Sequence, residues 1–363
     1  MDTDARNTDE AAAGSGEGTG VLDEALERLH LSGPEREGWL SNHAPMAVEA
    51  LVRHGQAGAV HRWIDGYRDK LEDPPEPVEP VTDANWRAAL GDPRRLADWA
   101  GYFGRLVAEQ DWRDVLATWW PRLLPGIAAS ATHPVIRTGH AVRALRAEGP
   151  GAGSAPRRAE LAHALGYWAA RHQPLPGIAA LPGAPTAAEG LAAVPRVLDG
   201  SGGVRERLAR ITGLPARPGA GGGQGPDEAR AVLVDLVRAA THRYATHAYG
   251  APVMLVHAAT APNAVLRTLP SLPRALWEAS VDAAWTAAAA VTAVYAPAEP
   301  ADVHTAGLPP MEEVFARAAA HGDEHTIKFA DTAWDVATGA GDDPTAVAAT
   351  LRAIELIEPM AAR

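Results

Sequence analysis

Apolar residues recur at helical spacing through most of this chain, and this spacing constrains its fold more than any other feature. Strand-length stretches of alternating polar and apolar residues are scarce. Helix start signals agree, because Asn42 precedes one such segment and Thr132 precedes another. The segments with helical spacing are 21–30, 45–54, 96–107, 134–145, 159–171, 229–244, 276–294, 311–320 and 345–357. The sequence therefore predicts a mostly α-helical protein with an irregular arrangement of many helices.

Three glycine- and proline-rich segments interrupt the helical pattern, near residues 74–83, 149–156 and 213–226. Such composition is typical of loops with little structure of their own. Residues 1–20 are acidic and almost free of large apolar side chains, which indicates a disordered tail. A fixed-period repeat is absent, which argues against a solenoid of identical helix pairs. We therefore expect a tail over residues 1–20 and a single helical domain over residues 21–363.

Composition narrows the classes of function. A chain of 363 residues with 47% hydrophobic and 21% charged residues can bury a sizeable core. The net charge of −12 and the lack of basic clusters argue against a nucleic-acid partner. The N-terminus lacks the features of a secretory signal, and no apolar run reaches the roughly 20 residues of a membrane span. We therefore expect a cytoplasmic protein without a membrane partner. Cysteine is absent, so a bound metal would need nitrogen or oxygen ligands.

Lysine is rare in this chain, which otherwise uses arginine for positive charge. Lys70 lies in a charged run that we expect in solvent, whereas Lys328 follows His325 by three residues on a helix with an apolar face. Residues three apart on a helix share a face. An ammonium, unlike a guanidinium, can lose its proton when it is desolvated, and the amine can then act as a base, a nucleophile or an acceptor of carbon dioxide. Lys328 is therefore a candidate for chemistry.

Fourteen histidines in a chain without cysteine raise the question of a metal site. Most of them, such as His54, lie beside charged residues, glycines or helix ends, and we expect these in solvent. A buried imidazole must find a partner, and a metal ion is one such partner. The histidines in apolar or mixed segments that a fold could bury are His43, His133, His257 and His325.

Two further histidines on apolar faces are alternatives to these four. His140 follows His133 by seven residues, so the two share a face but lie about 10 Å apart along a helix. That separation is too large for both to reach one ion, and at most one of them is a ligand. His163 is a second alternative, or equally a core histidine that bonds a backbone carbonyl.

Four segments, in this order along the chain, resemble the questin oxidase-like family. They are Ser41-Asn42-His43, residues 133–141 (His-Pro-Val-Ile-Arg-Thr-Gly-His-Ala), the helix around His257, and His325-Thr326-Ile327-Lys328. The resemblance covers most of residues 25–360. It implies an oxygenase, of the dioxygenase type, for aromatic polyketides of secondary metabolism. Its implied partners are O₂ and a small quinone- or hydroquinone-type substrate, whose ring is opened at a carbon–carbon bond.

The resemblance also implies a buried non-haem Fe(II) site with four histidines and a lysine carboxylated on its amine. A carbamate would give the iron one negative charge and a hard oxygen ligand, and five protein ligands would leave one octahedral position free for O₂. This chain departs from the fungal pattern, which has a second histidine where Arg137 stands and an aromatic residue where His140 stands. Carried over position by position, the implied ligands are His43, His133, His257, His325 and Lys328.

Three polar residues near these segments are candidates for supporting roles. Asn42 is expected either to orient His43 or to cap a helix. Asp331, three residues after Lys328, is a candidate to hold a ligand by hydrogen bonding. Arg137 is expected either to meet a phenolic or anionic oxygen of the substrate or to pair with an acidic neighbour.

Tryptophan is frequent, with 11 residues against three phenylalanines. Most of these side chains are expected in the core, and some could wall a pocket for a planar aromatic. Trp119 and Trp120 point in different directions on a helix, so one of them could face the core and the other a cleft.

Two rival functions remain open on sequence grounds. One is a metal-free, NADPH-associated oxidase of the Baeyer–Villiger type with Lys328 as general base. NADPH would then be the electron source, although Gly-x-Gly-x-x-Gly after a strand is absent, which gives a Rossmann site little support. The other is a non-catalytic helical binding protein, which predicts that the four histidine segments do not converge.

Overall fold

Helices dominate the computed structural model, which describes residues 20–175, 177–221, 225–339, 341 and 343–361. The disordered tail expected over residues 1–20 lies outside these residues, except for Gly20, which begins the first helix. The prediction of a mostly α-helical fold is confirmed. The helices within the described residues are α1 (20–29), α2 (Ala44–Arg53), α3 (Val60–Tyr67), α4 (Trp86–Ala89), α5 (Leu96–Glu109), α6 (Trp112–Leu123), α7 (His133–Ala147), α8 (Ala155–Arg171), α9 (Ala187–Ala192), α10 (Val204–Leu208), α11 (Pro226–His247), α12 (Pro252–Thr268), α13 (Trp277–Tyr295), α14 (Met311–His321), α15 (Glu324–Gly339) and α16 (Pro344–Leu356).

Within the described residues, four short strands form two small sheets. Strands β1 (Glu35–Arg36) and β2 (Leu40–Ser41) are antiparallel, whereas β3 (Ala179–Leu181) and β4 (Gly213–Pro215) are parallel. The β4 pairing corrects the expectation of an unstructured loop from residue 213, because its backbone groups bond those of β3. The β1–β2 hairpin leads directly to His43, just before α2.

Proline within the first turn starts several of the helices, where its missing N–H would be unpaired in any case. Helices α2, α7, α8, α11, α12 and α16 begin in this way. In α16 the carboxylate of Asp343 also accepts from the backbone N–H groups of Thr345 and Ala346. These signals are local in sequence, which is why the starts of α2 and α7 agree to within one residue with those expected at Pro45 and Pro134. Helix α8 begins at Ala155, inside the segment 149–156 that was expected to be a loop.

Helix α12 lies at the centre of the packing, in contact with α7, α11, α13 and α15. Helix α2 in turn packs against both α7 and α15. Helices α2, α7, α12 and α15 therefore form a closed ring in which each contacts the next, and we call them the four-helix ring. Every residue of the predicted ligand set lies in this ring or directly before it.

Tryptophans fill the largest core. Trp119 and Trp120 are 1% and 0% exposed, so both face the interior and neither faces a cleft. Trp119 packs against Trp99 and Phe103, with ring centroids 5.5 and 5.0 Å away. Across the described part of the chain, no helix is both long enough and apolar enough to span a bilayer.

Candidate metal centre

The N-terminal ends of the four-helix ring converge on one buried point. His43 directly precedes α2, and His133 is the first residue of α7. His257 and His325 lie within the first two turns of α12 and α15. One side-chain nitrogen from each of these four histidines lies within 4.8 Å of every other. Segments separated by up to 282 positions in sequence thus meet because the helix starts meet.

Backbone carbonyls fix the tautomers of three of these imidazoles. Nδ1 of His43 lies 2.7 Å from the carbonyl oxygen of Ser41, and Nδ1 of His133 lies 2.5 Å from that of Ser130. Nδ1 of His257 lies 3.0 Å from the carbonyl oxygen of Met254. A carbonyl only accepts, so each Nδ1 carries the hydrogen and each Nε2 of a neutral ring carries a lone pair.

Those Nε2 atoms face one another. Nε2 of His133 lies 2.7 Å from Nε2 of His43 and 2.9 Å from Nε2 of His257. The ring centroid of His325 lies 4.5 Å from that of His43 and 5.8 Å from that of His257. Two lone pairs cannot hydrogen-bond each other, so the group has acceptors in close contact and lacks a donor between them. This arrangement suits a cation.

Burial keeps three of these four imidazoles neutral. Desolvation lowers the pKa of His43, His133 and His257 well below 6.5, and the positive charge of a nearby protonated Lys328 lowers it further. The side chain of His325 is 12% exposed, whereas His257 is 0% exposed. A neutral imidazole is the form that binds a metal, so no proton has to be removed before coordination.

Lys328 is fully buried beside this group. It is 0% exposed, and among the described residues its Nζ has no hydrogen-bond partner. Desolvation lowers the pKa of Lys328 to about 7, although Glu324 and Asp323 act to raise it. The other lysine is paired: Nζ of Lys70 lies 2.8 Å from a carboxylate oxygen of Glu324. The rare lysine with no partner is thus the one next to the histidines.

The donor set fits an octahedral ion. Two nitrogens at about 2.1 Å from one ion, in adjacent octahedral positions, lie about 3.0 Å apart, and nitrogens in opposite positions lie about 4.2 Å apart. The observed Nε2 separations of 2.7 and 2.9 Å correspond to adjacent positions. The 4.8 Å limit on all four nitrogens is also compatible with a shared ion. The unpartnered amine of Lys328 offers a fifth group.

A strained segment precedes His133. Ser130, Ala131 and Thr132 have φ angles of 45°, 53° and 69°, in the left-handed region that costs about 1–2 kcal/mol for each residue with a Cβ. The Thr132 hydroxyl makes no capping bond to α7, which corrects the expectation that Thr132 caps this helix. The strain turns the Ser130 carbonyl toward Nδ1 of His133, and residues in such conformations concentrate at functional sites.

Neither alternative histidine lies in the group of four. Nδ1 of His140 lies 2.7 Å from a carboxylate oxygen of Glu49, in a separate buried group that includes Asp331. The ring of His163 packs against that of His30, with centroids 4.5 Å apart, and burial lowers its pKa to about 3. The α7 residue that joins the group is therefore His133.

The candidates for supporting roles have other partners. Arg137 donates to both carboxylate oxygens of Glu160 at 2.6 and 2.8 Å, which favours the structural alternative over contact with substrate. The Asn42 side chain accepts from the N–H of Ala44, the first residue of α2, and donates to the carbonyl of Gly33, both at 3.0 Å. It therefore holds the start of α2 from one residue before the N-cap position, which is His43, and does not bond the His43 imidazole.

Asp331 is also placed differently from its prediction. Its carboxylate accepts from Arg143 at 2.9 Å and from His54 at 2.8 Å, rather than from a histidine of the group of four. The His54 side chain is only 4% exposed, so the expectation that it lies in solvent is wrong. His54 directly follows α2, and at this end of the helix its imidazole is buried against the Asp331 carboxylate.

A cleft of about 400 Å³ adjoins the strained segment that begins at Ser130. Ser130 lines this cleft and also bonds His133 through its carbonyl. Trp39, at the tip of the β1–β2 hairpin, lines it as well and is 60% exposed. The cleft thus adjoins the segments that directly precede His43 and His133. The other walls include Ala128, Ala129, Arg171, Leu175, Arg205 and Leu208.

Comparison with known families bears on one part of this centre. Residues 40–149 match the questin oxidase-like family model. The match confirms the resemblance drawn from the sequence and includes His43 and His133, whereas His257, His325 and Lys328 lie beyond it. No curated protein matches the chain. The questin oxidase-like match indicates an oxidoreductase. The hypothesis of a non-catalytic helical binding protein predicted that the four histidine segments would lie apart, whereas they converge.

Sequence reasoning missed the groups that hold the imidazoles. The Ser41, Ser130 and Met254 carbonyls orient three of the rings, and backbone carbonyls carry no sequence signal. Tyr167 was missed as well; its hydroxyl lies 2.6 Å from the Ser41 hydroxyl. Trp39 could have been found from its place between Gly38 and a short strand, where a large aromatic side chain has no core to enter.

Proposed function

We propose that this protein is a non-haem Fe(II)-dependent oxygenase that opens a ring of an aromatic polyketide of the quinone or hydroquinone type. The observation that carries the proposal is the contact of three Nε2 lone pairs at 2.7 and 2.9 Å beside a buried amine without a partner. The ligands are His43, His133, His257, His325 and Lys328. The questin oxidase-like match over residues 40–149 supports the same class of reaction.

Lys328 acts as a carbamate in this proposal. Its neutral amine attacks carbon dioxide, one N–C bond forms, and one proton is released, so that the side chain gains a negative charge. A pKa of about 7 leaves much of the amine neutral near pH 7. The first turns of four helices surround it, and each helix N-terminus carries about half a positive charge. These positive ends oppose both a buried ammonium and an Fe(II) ion held by neutral ligands alone, so they favour a ligand that brings negative charge, as the carbamate does.

Iron bound here would supply an open position for O₂ and the redox capacity for ring cleavage. The chain's own contribution is to hold the donors, fix their tautomers and exclude water. Carbonyls of Ser41, Ser130 and Met254 keep Nδ1 protonated, so that Nε2 always faces inward. Four neutral imidazoles would leave the positive charge of an Fe(II) ion uncompensated. The negative charge of the carbamate would offset part of it.

The cleft behind the strained segment is the proposed site of the substrate. Its volume of about 400 Å³ lies in the range of small-molecule sites. The exposed indole of Trp39 offers a face for stacking, and Arg205 offers a cation to a phenolate oxygen, whereas Arg171 in the same wall is paired with Glu35. A planar, phenolic ring system matches this combination of an aromatic face, apolar walls and positive charge.

A metal-free oxidase is the second candidate, because a lysine with a pKa of about 7 also suits a general base. The two candidates differ in their response to a chelator. Oxygen consumption with a hydroquinone substrate should fall to background after exhaustive chelation under argon and return with Fe(II). Activity that survives chelation, and that depends on NADPH, would instead support the metal-free oxidase.

Variants test the ligand assignment with the same preparations. His325→Ala should lose its iron, whereas His321→Ala should keep it, because His321 bonds the carbonyl of Ile357 outside the group. Iron per chain, measured by elemental analysis, decides the result. Equal iron in both variants would refute the assignment, provided that circular dichroism shows both to be folded.

A further inference from the structure

A second buried cluster links the same four helices about two to three turns beyond the histidines. It consists of Glu49 on α2, Arg143 on α7, Arg267 on α12 and Asp331 on α15, and we call it the charge cluster. Side-chain exposure is 7% for Glu49, 9% for Arg143, 8% for Arg267 and 0% for Asp331. Each helix of the four-helix ring thus has a proposed ligand at or near its N-terminal end and contributes a charged side chain to this cluster further along.

The contacts of the charge cluster join helix to helix. Arg143 donates to the Glu49 carboxylate at 2.8 Å and to both oxygens of Asp331 at 2.9 and 3.0 Å. Arg267 lies 2.8 Å from Asp331 and 2.8 Å from Asp335, one turn further along α15. Asp331 therefore receives guanidinium groups from two helices at once and is the junction of the cluster.

We propose that the charge cluster is a positioning device for the metal centre, with Asp331 as its key residue. This inference rests on the proposed function. Replacing a buried ion pair with apolar residues is often neutral or stabilising, so stability alone does not account for such a cluster. A guanidinium fork bonds carboxylates in a defined geometry. That geometry fixes how far each helix slides and turns relative to the next, and hence where its first turn places an imidazole.

The position of the cluster suits this role. Asp331 follows Lys328 by three residues, and Glu49 follows His43 by six. Helices transmit a shift along their axis because they are stiff, so a displacement at Asp331 moves Lys328 and His325 by a similar amount. Direct bonds from the cluster to the four histidines are absent among the described contacts, so its effect acts through helix placement.

Two variants with the same chemical change test the proposal. Asp331→Asn removes one buried carboxylate that joins helices of the ring. Glu160→Gln removes a carboxylate of similar burial, because Glu160 is 3% exposed and is paired with Arg137. The Glu160 carboxylate joins α7 to α8, however, and α8 carries no proposed ligand. Both changes should destabilise the fold, because each removes a buried negative charge that a buried guanidinium group faces. Only Asp331→Asn should weaken the metal centre.

The readout is the affinity for Fe(II), measured under argon by competition with a chromophoric chelator, together with the visible spectrum of the Co(II) form. We expect Asp331→Asn to weaken Fe(II) binding about 10- to 100-fold, the range for residues that support ligands, and to change the Co(II) bands at saturation. Glu160→Gln should bind within about twofold of wild type. Glu49→Gln should resemble Asp331→Asn, and the double variant should lose less than the two single losses combined.

The possible outcomes distinguish a failure of the proposed iron site from a failure of the positioning role of the charge cluster. If wild type binds neither Fe(II) nor Co(II), the proposed function fails and this inference fails with it. If wild type binds and Asp331→Asn matches Glu160→Gln in affinity and spectrum, the positioning role is refuted while the iron site stands. Should Asp331→Asn not fold, Glu49→Gln replaces it, because Glu49 is the other carboxylate of the charge cluster and joins α2 to α7 through Arg143. Unchanged affinity and Co(II) bands there would also refute the role.

Discussion

Replacing Lys328 by methionine keeps an unbranched side chain, one atom shorter, but removes the amine, and it should stabilise the metal-free protein while destroying its metal site. The amine is 0% exposed and, among the described residues, has no hydrogen-bond partner. Each pH unit by which folding depresses a pKa corresponds to about 1.4 kcal/mol. The fall from 10.5 to about 7 thus destabilises the fold by up to about 5 kcal/mol.

The sign of the pH dependence follows from the same pKa. A basic group with a lowered pKa in the folded state binds more protons when unfolded, so its penalty is complete below pH 7. The penalty fades as pH rises from about 7 to 10.5 and is absent above that value. The stabilising effect of Lys328→Met should therefore be largest near neutral pH and small at pH 10.

Denaturant unfolding of chelator-treated wild type and Lys328→Met, at pH 7 and pH 10, measures this effect. We expect a gain of roughly 2–5 kcal/mol at pH 7, because local relaxation reduces the full penalty, and a loss of bound iron. Lys70→Met is the matched control: its amine is paired with Glu324, so its removal should lower stability and leave iron in place. A less stable Lys328→Met at pH 7, or one that keeps its iron, would refute the account of this lysine.

Three further predictions concern other residues. His133→Ala should lose bound iron and His163→Ala should keep it, since only His133 lies in the group of four; elemental analysis checks this, and the reverse pattern would contradict it. Arg137 helps hold the pKa of Glu160 at about 2, below the ordinary value of 4.5. This ion pair should therefore contribute about 3 kcal/mol to the free energy of unfolding above pH 4.5, and this contribution should be lost as the pH falls toward 2. Acid unfolding should therefore be less steep in Glu160→Gln, and an unchanged slope would count against the pair. Trp39→Ala should raise KM for a hydroquinone about tenfold with iron content unchanged; an unaltered KM would remove the cleft from the account.

Most helices of this protein could be predicted from sequence because their signals are local. Spacing of apolar residues marked α2, α8 and α16 to within a few residues, and the proline at position 45 also marked the start of α2. Strand β4 was missed, because its glycine- and proline-rich sequence pairs with β3 only through the fold. Thr132 failed as a cap for a similar reason: tertiary packing holds it in a left-handed conformation.

The candidate site was accessible to sequence reasoning only in part. Scarcity of lysine drew attention to Lys328, and apolar surroundings selected the histidines that converge. Their convergence depends on how four helices pack together, and a short sequence motif carries no information about that packing. The partners of Asp331 could not be foreseen either, because Arg143 and Arg267 lie 188 and 64 positions away in sequence.

We propose that four imidazoles and the Lys328 side chain hold one iron ion. Anomalous scattering at the iron edge, from crystals grown under argon with Fe(II) and bicarbonate, is the decisive measurement. We expect one strong peak per chain, within about 2.2 Å of Nε2 of His43, His133 and His257. We also expect extra density on Nζ of Lys328. A peak elsewhere, or none in protein that is shown to be folded, would refute this ligand assignment.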